Sequence, residues 1–392
     1  MRPSMSTIKW WDFFSKQVTG DSTEMRELAA RICKDYLHGV WKKVTSQDIG
    51  FKHISYPNFK RRPIQPIIPR VPPGSSVERE QLQGRAQGDT DPHLRPDPRR
   101  GRPGEALITE SVIFTLLSER GLGPKLHGIF PGGRIEQYIN ARPLLTRELA
   151  DERLTVQIAQ KMATIHSMEV PLHKEPTWMW DTINRWLQTC EKKLKSNVPE
   201  SVQKFLEKID LRAETEWLKK RIDAENTPVV FCHNDMQEGN ILMCLDADKE
   251  NNNAEPKIVI IDFEYCSYNY RAFDVANHFI EWMYDYTEPN YPFFSEDFSK
   301  YPTEKQRLTF IRAYLDERGS RENPKKLMRE VELFTMASHF FWSLWGFINA
   351  DTSKIPFGYW EYACSRLSCY QQLKQKATGS VQQKRKMDDV TV

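Results

Sequence analysis

The sequence predicts an α+β chain in two lobes, a small N-terminal lobe with a disrupted sheet and a large, mainly helical C-terminal lobe. Three observations predict it. The 392 residues suffice for two domains, and hydrophobic residues at 39% can fill their cores. Short strand-like runs end by residue 261, and from residue 271 onward the pattern is helical. The N-terminal part is interrupted at 57–103 by a stretch without hydrophobic periodicity.

The elements follow in order. Met25, Leu28, Ala29, Ile32 and Tyr36 repeat at helical spacing and predict a helix over 22–41. Residues 108–120 predict a second helix, stopped by Gly121. Two strand-like runs, Leu126 to Phe130 and Ile135 to Ile139, flank the turn Pro131-Gly-Gly133. Another helix is expected near 154–168. Pro228 to Cys232 and Lys257 to Ile261 read as buried strands, separated by a polar loop with three consecutive asparagines. From about residue 377 the chain is polar and is expected to be a disordered tail.

Composition narrows the function classes. A net charge of +3 is too near neutral for a nucleic-acid partner or a charged membrane surface. No run of about 18 apolar residues predicts a membrane span. The N-terminus has no apolar leader core, so no secretory signal is expected. Seven scattered cysteines form no CxxC pair, which argues for reduced thiols in the cytoplasm.

The chemistry concentrates in two strings. His233-Asn-Asp235-Met-Gln-Glu-Gly-Asn240 follows one strand run, and Asp262-Phe-Glu264 follows the next. Phosphoryl transfer needs a carboxylate beside the attacking hydroxyl and oxygen ligands for Mg²⁺ on the phosphates. An Asp, an Asn five residues later and a second Asp at a strand end supply these groups, in the arrangement of a protein-kinase catalytic loop. Asp235 is therefore the expected base or hydroxyl orienter. Asn240 and Asp262 are the expected metal ligands, and His233 the brace of the loop.

Aromatic residues suggest the substrate. Tyr265, Tyr268 and Tyr270 follow Asp262, then come Glu281-Trp-Met-Tyr-Asp-Tyr286, His339 to Trp345 and Phe357 to Tyr362. Trp342 and Trp345, three residues apart, share one helix face. Ring faces attract quaternary ammonium ions, and a carboxylate such as Glu281 adds attraction. A core stripe explains such a pattern equally well at this point.

The strings FCHNDMQEGNILM, IVIIDFEYCSYNYRAFDVANHFIEWMYDY, SHFFWSLWGF and FGYWEY closely resemble the choline/ethanolamine kinases, and the likeness spans roughly residues 106–375. The resemblance implies a two-lobed protein-kinase-like fold that uses ATP and Mg²⁺. It implies phosphorylation of choline, and of ethanolamine, as the first step toward phosphatidylcholine. By position it makes Asp235 the catalytic Asp with Gln237 beside it, and Asn240, Asp262 and Glu264 the metal group. Tyr265, Glu281, Tyr286, Trp342, Trp345, Phe357 and Tyr362 match the choline pocket. Gln137 and Ile139 match the adenine hinge, and Glu110 the partner of a phosphate-binding Arg. It implies a homodimer. Residues 1–139 then form the ATP-binding lobe and 140–376 the catalytic and choline-binding lobe, followed by a tail over 377–392. Ile139-Asn-Ala-Arg142 departs slightly from the family's Ile-Pro-Ser-Arg.

The resemblance breaks at 56–105, where the family expects a phosphate-gripping SGGxSNxLFRVSLP loop and a VLLRxY strand. Residues 57–103 instead hold 10 of the chain's 24 prolines, and no aromatic lies between Phe59 and Phe114. The composition reads as a disordered insert, an unusual feature inside a compact lobe. Codons for Arg61 to Pro73, read one base later, can spell GGLSNQLFRVSLP, and Gly88 to Asp97 at the same offset can spell VILIRTYDP. A shifted reading frame is therefore expected here. It implies that Glu110 lacks its Arg and that the chain as written has little kinase activity. The alternatives are a catalytically impaired pseudokinase that only binds, an ethanolamine-preferring kinase, or a kinase for another amino-alcohol or an aminoglycoside.

Overall fold

Short runs form the strands, of which Val229–Cys232 and Ile258–Ile260 are rich in β-branched residues, and longer runs form the helices. The computed structural model describes residues 23–36, 42–51, 67–69, 82–86, 103–130, 133–194, 198–245, 256–353 and 355–388. The chain divides into two compact units.

The first unit gathers residues 1–95, 107–143 and 241–261. Helix α1 (Thr23–Tyr36) buries Ala29, Ala30, Ile32 and Cys33 along one face, as its periodicity predicts. Strand β1 (Ile49–Phe51) pairs antiparallel with β2 (Ile67–Pro69). Strands β3 (Leu82–Ala86), β4 (Leu126–Phe130) and β5 (Gly133–Gln137) form a sheet in the order β3-β5-β4. Helix α2 (Pro103–Glu119) precedes β4 and buries Ile113, Phe114 and Leu117. Strand β5 starts two residues before the predicted run, because Gly133 pairs with Phe130 of β4.

Strands β2 and β3 lie inside the Pro/Arg-rich stretch, which therefore contributes two backbone-paired strands. The rest of 56–102, and with it most of the expected frame shift, lies outside the described residues. So do the asparagine run 251–253 and the first 22 residues. A third sheet joins β6 (Ala141–Pro143), β8 (Ile241–Cys244) and β9 (Ile258–Ile260) in the order β6-β8-β9.

The second unit holds residues 96–106, 144–240 and 262–392. Its helices are α3 (Glu152–His166), α4 (Thr177–Lys193), α5 (Glu200–Leu206), α6 (Leu211–Asp223), α7 (Arg271–Glu281), α8 (Glu304–Glu317), α9 (Pro324–Asn349) and α10 (Tyr359–Asp388). Asp151 and Asp210 cap α3 and α6 by accepting bonds from the first-turn amides. Thr303 and Gln306 form a reciprocal capping box on α8. Strand β7 (Val229–Cys232) pairs antiparallel with β10 (Ser267–Tyr270), whose last residue leads directly into α7. Helix α10 runs to Asp388, past the expected boundary at 376.

Every residue of α7 is buried. Arg271 at its start reaches α9, where its guanidinium makes two 3.0 Å bonds to Glu330. It also pairs with Glu322, whose carboxyl is held down to about 2 chiefly by that hydrogen bond. Helices α9 and α10 pack closely at Gly346, where a Cβ would lie 2.8 Å from Ala363 Cβ. All seven cysteines are free thiols.

Candidate active site

Strand β7 ends at Cys232 and delivers the loop 233–240. Two residues there adopt left-handed backbone: Asn234 at φ 67° and, after β9, Asp262 at φ 68°. Asn and Asp tolerate this region better than most residues, yet the conformation still needs support. Asn234 has it. Its Nδ2 donates to Tyr265 O at 2.9 Å, and its Oδ1 accepts from Asn269 at 2.8 Å.

His233 makes contacts on two sides. Its Nδ1 accepts from the Asp235 amide at 3.2 Å, and its ring packs on Phe263. Asn240 closes the loop from the other end. Its Nδ2 donates to Asp235 O at 2.7 Å and to Asp235 Oδ2 at 3.1 Å. The structure thus brings Asp235 and Asn240 into direct contact. Gln237 is half-buried, and Glu238 is buried in the turn between them.

One face of α7 holds this loop in place, a function that the sequence reading missed. Asp274 accepts from the His233 amide with Oδ2 and from the Asn234 amide with Oδ1, both at 2.8 Å. His166 Nε2 also meets Asp274 Oδ2, at 3.0 Å. Burial opposes the charge on Asp274, but the bonds from His166 and His233 hold its carboxyl below the usual range. One turn later, His278 Nδ1 donates to Met236 O at 3.0 Å while its Nε2 accepts from Trp282. Burial pushes His278 down to about 4, so it stays a neutral donor. Three residues further, Glu281 lies on the same face and enters the aromatic cluster.

That cluster unites all the predicted pocket residues. Ring centroids lie 5.7 Å apart for Tyr265–Trp342, 5.6 Å for Trp342–Trp345 and 6.1 Å for Trp345–Tyr362. Phe357 sits 5.6 Å from Tyr362 and 6.3 Å from Tyr286. Tyr286 OH donates to Glu281 Oε2 at 2.8 Å. Burial raises the Tyr362 hydroxyl's pKa; Arg366 opposes the rise, while Glu281 and Asp235 add to it.

The donor set fits a hard cation. Asn240 Oδ1 is buried without a hydrogen-bond partner, and Asp262 and Glu264 place carboxylates at the end of β9. Amide and carboxylate oxygens are what Mg²⁺ selects. A separate group, His166, Cys232 and Asp274, holds its donor atoms within 4.8 Å. Both Asp274 oxygens already serve the loop, so this group is a structural clamp.

Glu110, Gln137 and Ile139 belong to the first unit. The expectation that Glu110 lacks an Arg is corrected. Arg134 of β5 pairs with it at 2.8 Å, bonds Glu136 as well, and covers the Phe114 ring at 3.4 Å. A cation from an adjacent strand takes the place that the reading assigned to the missing strand.

Comparison with known proteins agrees with this geometry. A family model described as choline/ethanolamine kinase matches residues 101–371, beginning where the Pro/Arg-rich stretch ends. The choline/ethanolamine kinase of Rattus norvegicus is 39% identical over 366 residues, covering 91% of this chain and 88% of the relative. The human choline/ethanolamine kinase is 40% identical over the same shares. The solved structure of a choline kinase from Cryptosporidium parvum superposes with a TM-score of 0.70 at 26% identity, covering 90% of this chain and 96% of that one. The protein-kinase-like α+β fold expected from the motifs is thereby established, and the pseudokinase alternative has no support. The chain belongs to the choline/ethanolamine kinase family and is a phosphotransferase.

Proposed function

We propose that this protein transfers the γ-phosphate of ATP to the hydroxyl of choline or ethanolamine. The contact of Asp235 with Asn240, beside a complete aromatic cage, is the observation that carries this reading. Asp235 orients the hydroxyl and takes its proton as the oxygen attacks phosphorus. His233 and Asn240 hold its backbone and carboxylate in place for this. Asn240, Asp262 and Glu264 would hold Mg²⁺, which supplies charge neutralisation on the phosphates. Gln137 and Ile139 meet the adenine, and Gln237 lines the loop beside Asp235. Tyr265, Glu281, Tyr286, Trp342, Trp345, Phe357 and Tyr362 enclose the ammonium head. The names of the relatives support both amines as substrates.

Residues 1–139 serve as the ATP-binding lobe and 140–376 as the catalytic lobe in this reading. A homodimer in the cytoplasm goes with it, and sedimentation of the purified protein reads the state. Among the described residues no helix is long and apolar enough to cross a membrane.

The test is ADP release coupled to a reporter, with choline, ethanolamine or no amine, in the chain as given and in one with the frame restored over 55–106. Amine-dependent release is expected in both, with the restored chain much faster. Release that no amine stimulates would contradict the activity. Equal rates, or an in-frame transcript encoding the chain as given, would contradict the frame shift.

A further inference from the structure

Arg366 is fully buried on α10, beneath the cage. Its Nη1 donates to Glu281 Oε1 at 3.2 Å and its Nη2 to Ser338 Oγ at 3.3 Å. Its guanidinium lies 5.1 Å from the Tyr284 ring centre and 5.5 Å from that of Tyr362. Its Nε has no hydrogen-bond partner. A buried guanidinium with an orphaned N–H costs stability, and an apolar side chain would pack there at less cost.

Glu281 is thus not a bare charge facing an ammonium. Oε1 accepts from Arg366 and Oε2 from Tyr286 OH, so each oxygen already has one donor and the guanidinium offsets the charge. The indole Nε1–H of Trp342, buried among these rings, has no hydrogen-bond acceptor.

These facts bear differently on two kinds of amine. A trimethylammonium has no N–H and binds to ring faces alone. A primary ammonium brings three N–H donors, and each one left without an acceptor on burial weakens binding. We propose that Arg366, by occupying Glu281, sets the preference of this site for fully methylated over primary amines. This rests on the activity proposed above. Arg366 is a positioning residue, acting through Glu281.

The test measures kcat/KM for choline, N,N-dimethylethanolamine, N-methylethanolamine and ethanolamine at saturating ATP. In the wild type the values should fall stepwise as methyl groups are removed. Arg366→Gln should lower the choline-to-ethanolamine ratio about tenfold, since only the primary amine gains a charge-assisted hydrogen bond to the released carboxylate. Tyr286→Phe keeps the ring and frees Oε2, and should lower the ratio about threefold, as a single neutral donor is removed. Should Arg366→Gln fail to fold, Tyr286→Phe decides alone. Variants that depress all four amines by one common factor would overturn the proposal, as would a wild type that prefers ethanolamine. Turnover of no amine by the wild type would overturn the activity itself and this inference with it, a result distinct from an unmoved ratio.

Discussion

In the catalytic loop, Asp274 and His278 of α7 grip backbone atoms of His233, Asn234 and Met236. In the aromatic cage, Trp342, Trp345, Phe357 and Tyr362 meet through their rings, brought in from α9, α10 and the segment between them. Hydrogen bonds to the backbone fix an atom's position to a few tenths of an ångström. Ring packing fixes a volume and a polarity instead. In the proposed reading the loop places one carboxylate oxygen, and the rings exclude water around the ammonium head. Damage to the loop should therefore appear in turnover, and damage to the cage in the affinity for the amine.

The largest expected effect is in the loop. Asp235→Asn should lower kcat by about a thousandfold, the usual worth of a positioned base, while the KM for choline changes little. A comparable loss confined to KM would erase the distinction between loop and cage.

Next comes the clamp beneath the loop. His278 is neutral when folded, with its pKa pushed down to about 4 by burial. The unfolded chain binds a proton near pH 6.5 that the folded chain refuses until about pH 4. Stability should thus hold above pH 6.5 and fall on acidification toward pH 4, by about 3 kcal/mol from this residue alone. Denaturant melts across this range would show it, and His278→Gln should flatten the slope. A slope unchanged by the substitution would remove His278 from the clamp.

In the cage, Trp345→Ala should raise the KM for choline about thirtyfold, the worth of one desolvated cation–π face, and leave the KM for ATP unchanged. Equal rises in both would make the aromatic cluster a core and not a receptor.

The smallest effect tests the scaffold of the cage. Gly346→Ala should destabilise the fold by about 2 kcal/mol, because the new methyl meets Ala363 and the backbone of Tyr359 where α9 and α10 pack. An unchanged melting temperature would show that this packing is loose.

What the sequence revealed follows the same division. The loop was legible because its residues are contiguous: His233, Asp235 and Asn240 lie within one string. The cage was half-legible, because Trp342 and Trp345 share a helix face, but a core stripe has the same spacing. Their meaning came with Glu281 and Tyr286, held together by a bond that no periodicity encodes. Asp274 and His278 lie at i and i+4 of a run that also carries Arg271, Asn277 and Glu281, so spacing alone does not single them out. Arg366 carries no signal either, and its role depends on contacts from residues 28 and 85 positions away. The pairing of Glu110 was misjudged for the same reason. A missing strand in the sequence does not exclude a cation from the strand next to it, here Arg134.

Phosphorus NMR of a mixture of ATP, Mg²⁺ and choline tests the central claim most directly. The phosphoryl group should leave the γ position of ATP and appear as a choline phosphomonoester together with ADP. It should do so rapidly with the frame-restored chain, slowly with the chain as given, and immeasurably with Asp235→Asn. Unchanged ATP with both chains, or inorganic phosphate in place of the phosphomonoester, would contradict the assignment of this loop and cage to amine phosphorylation.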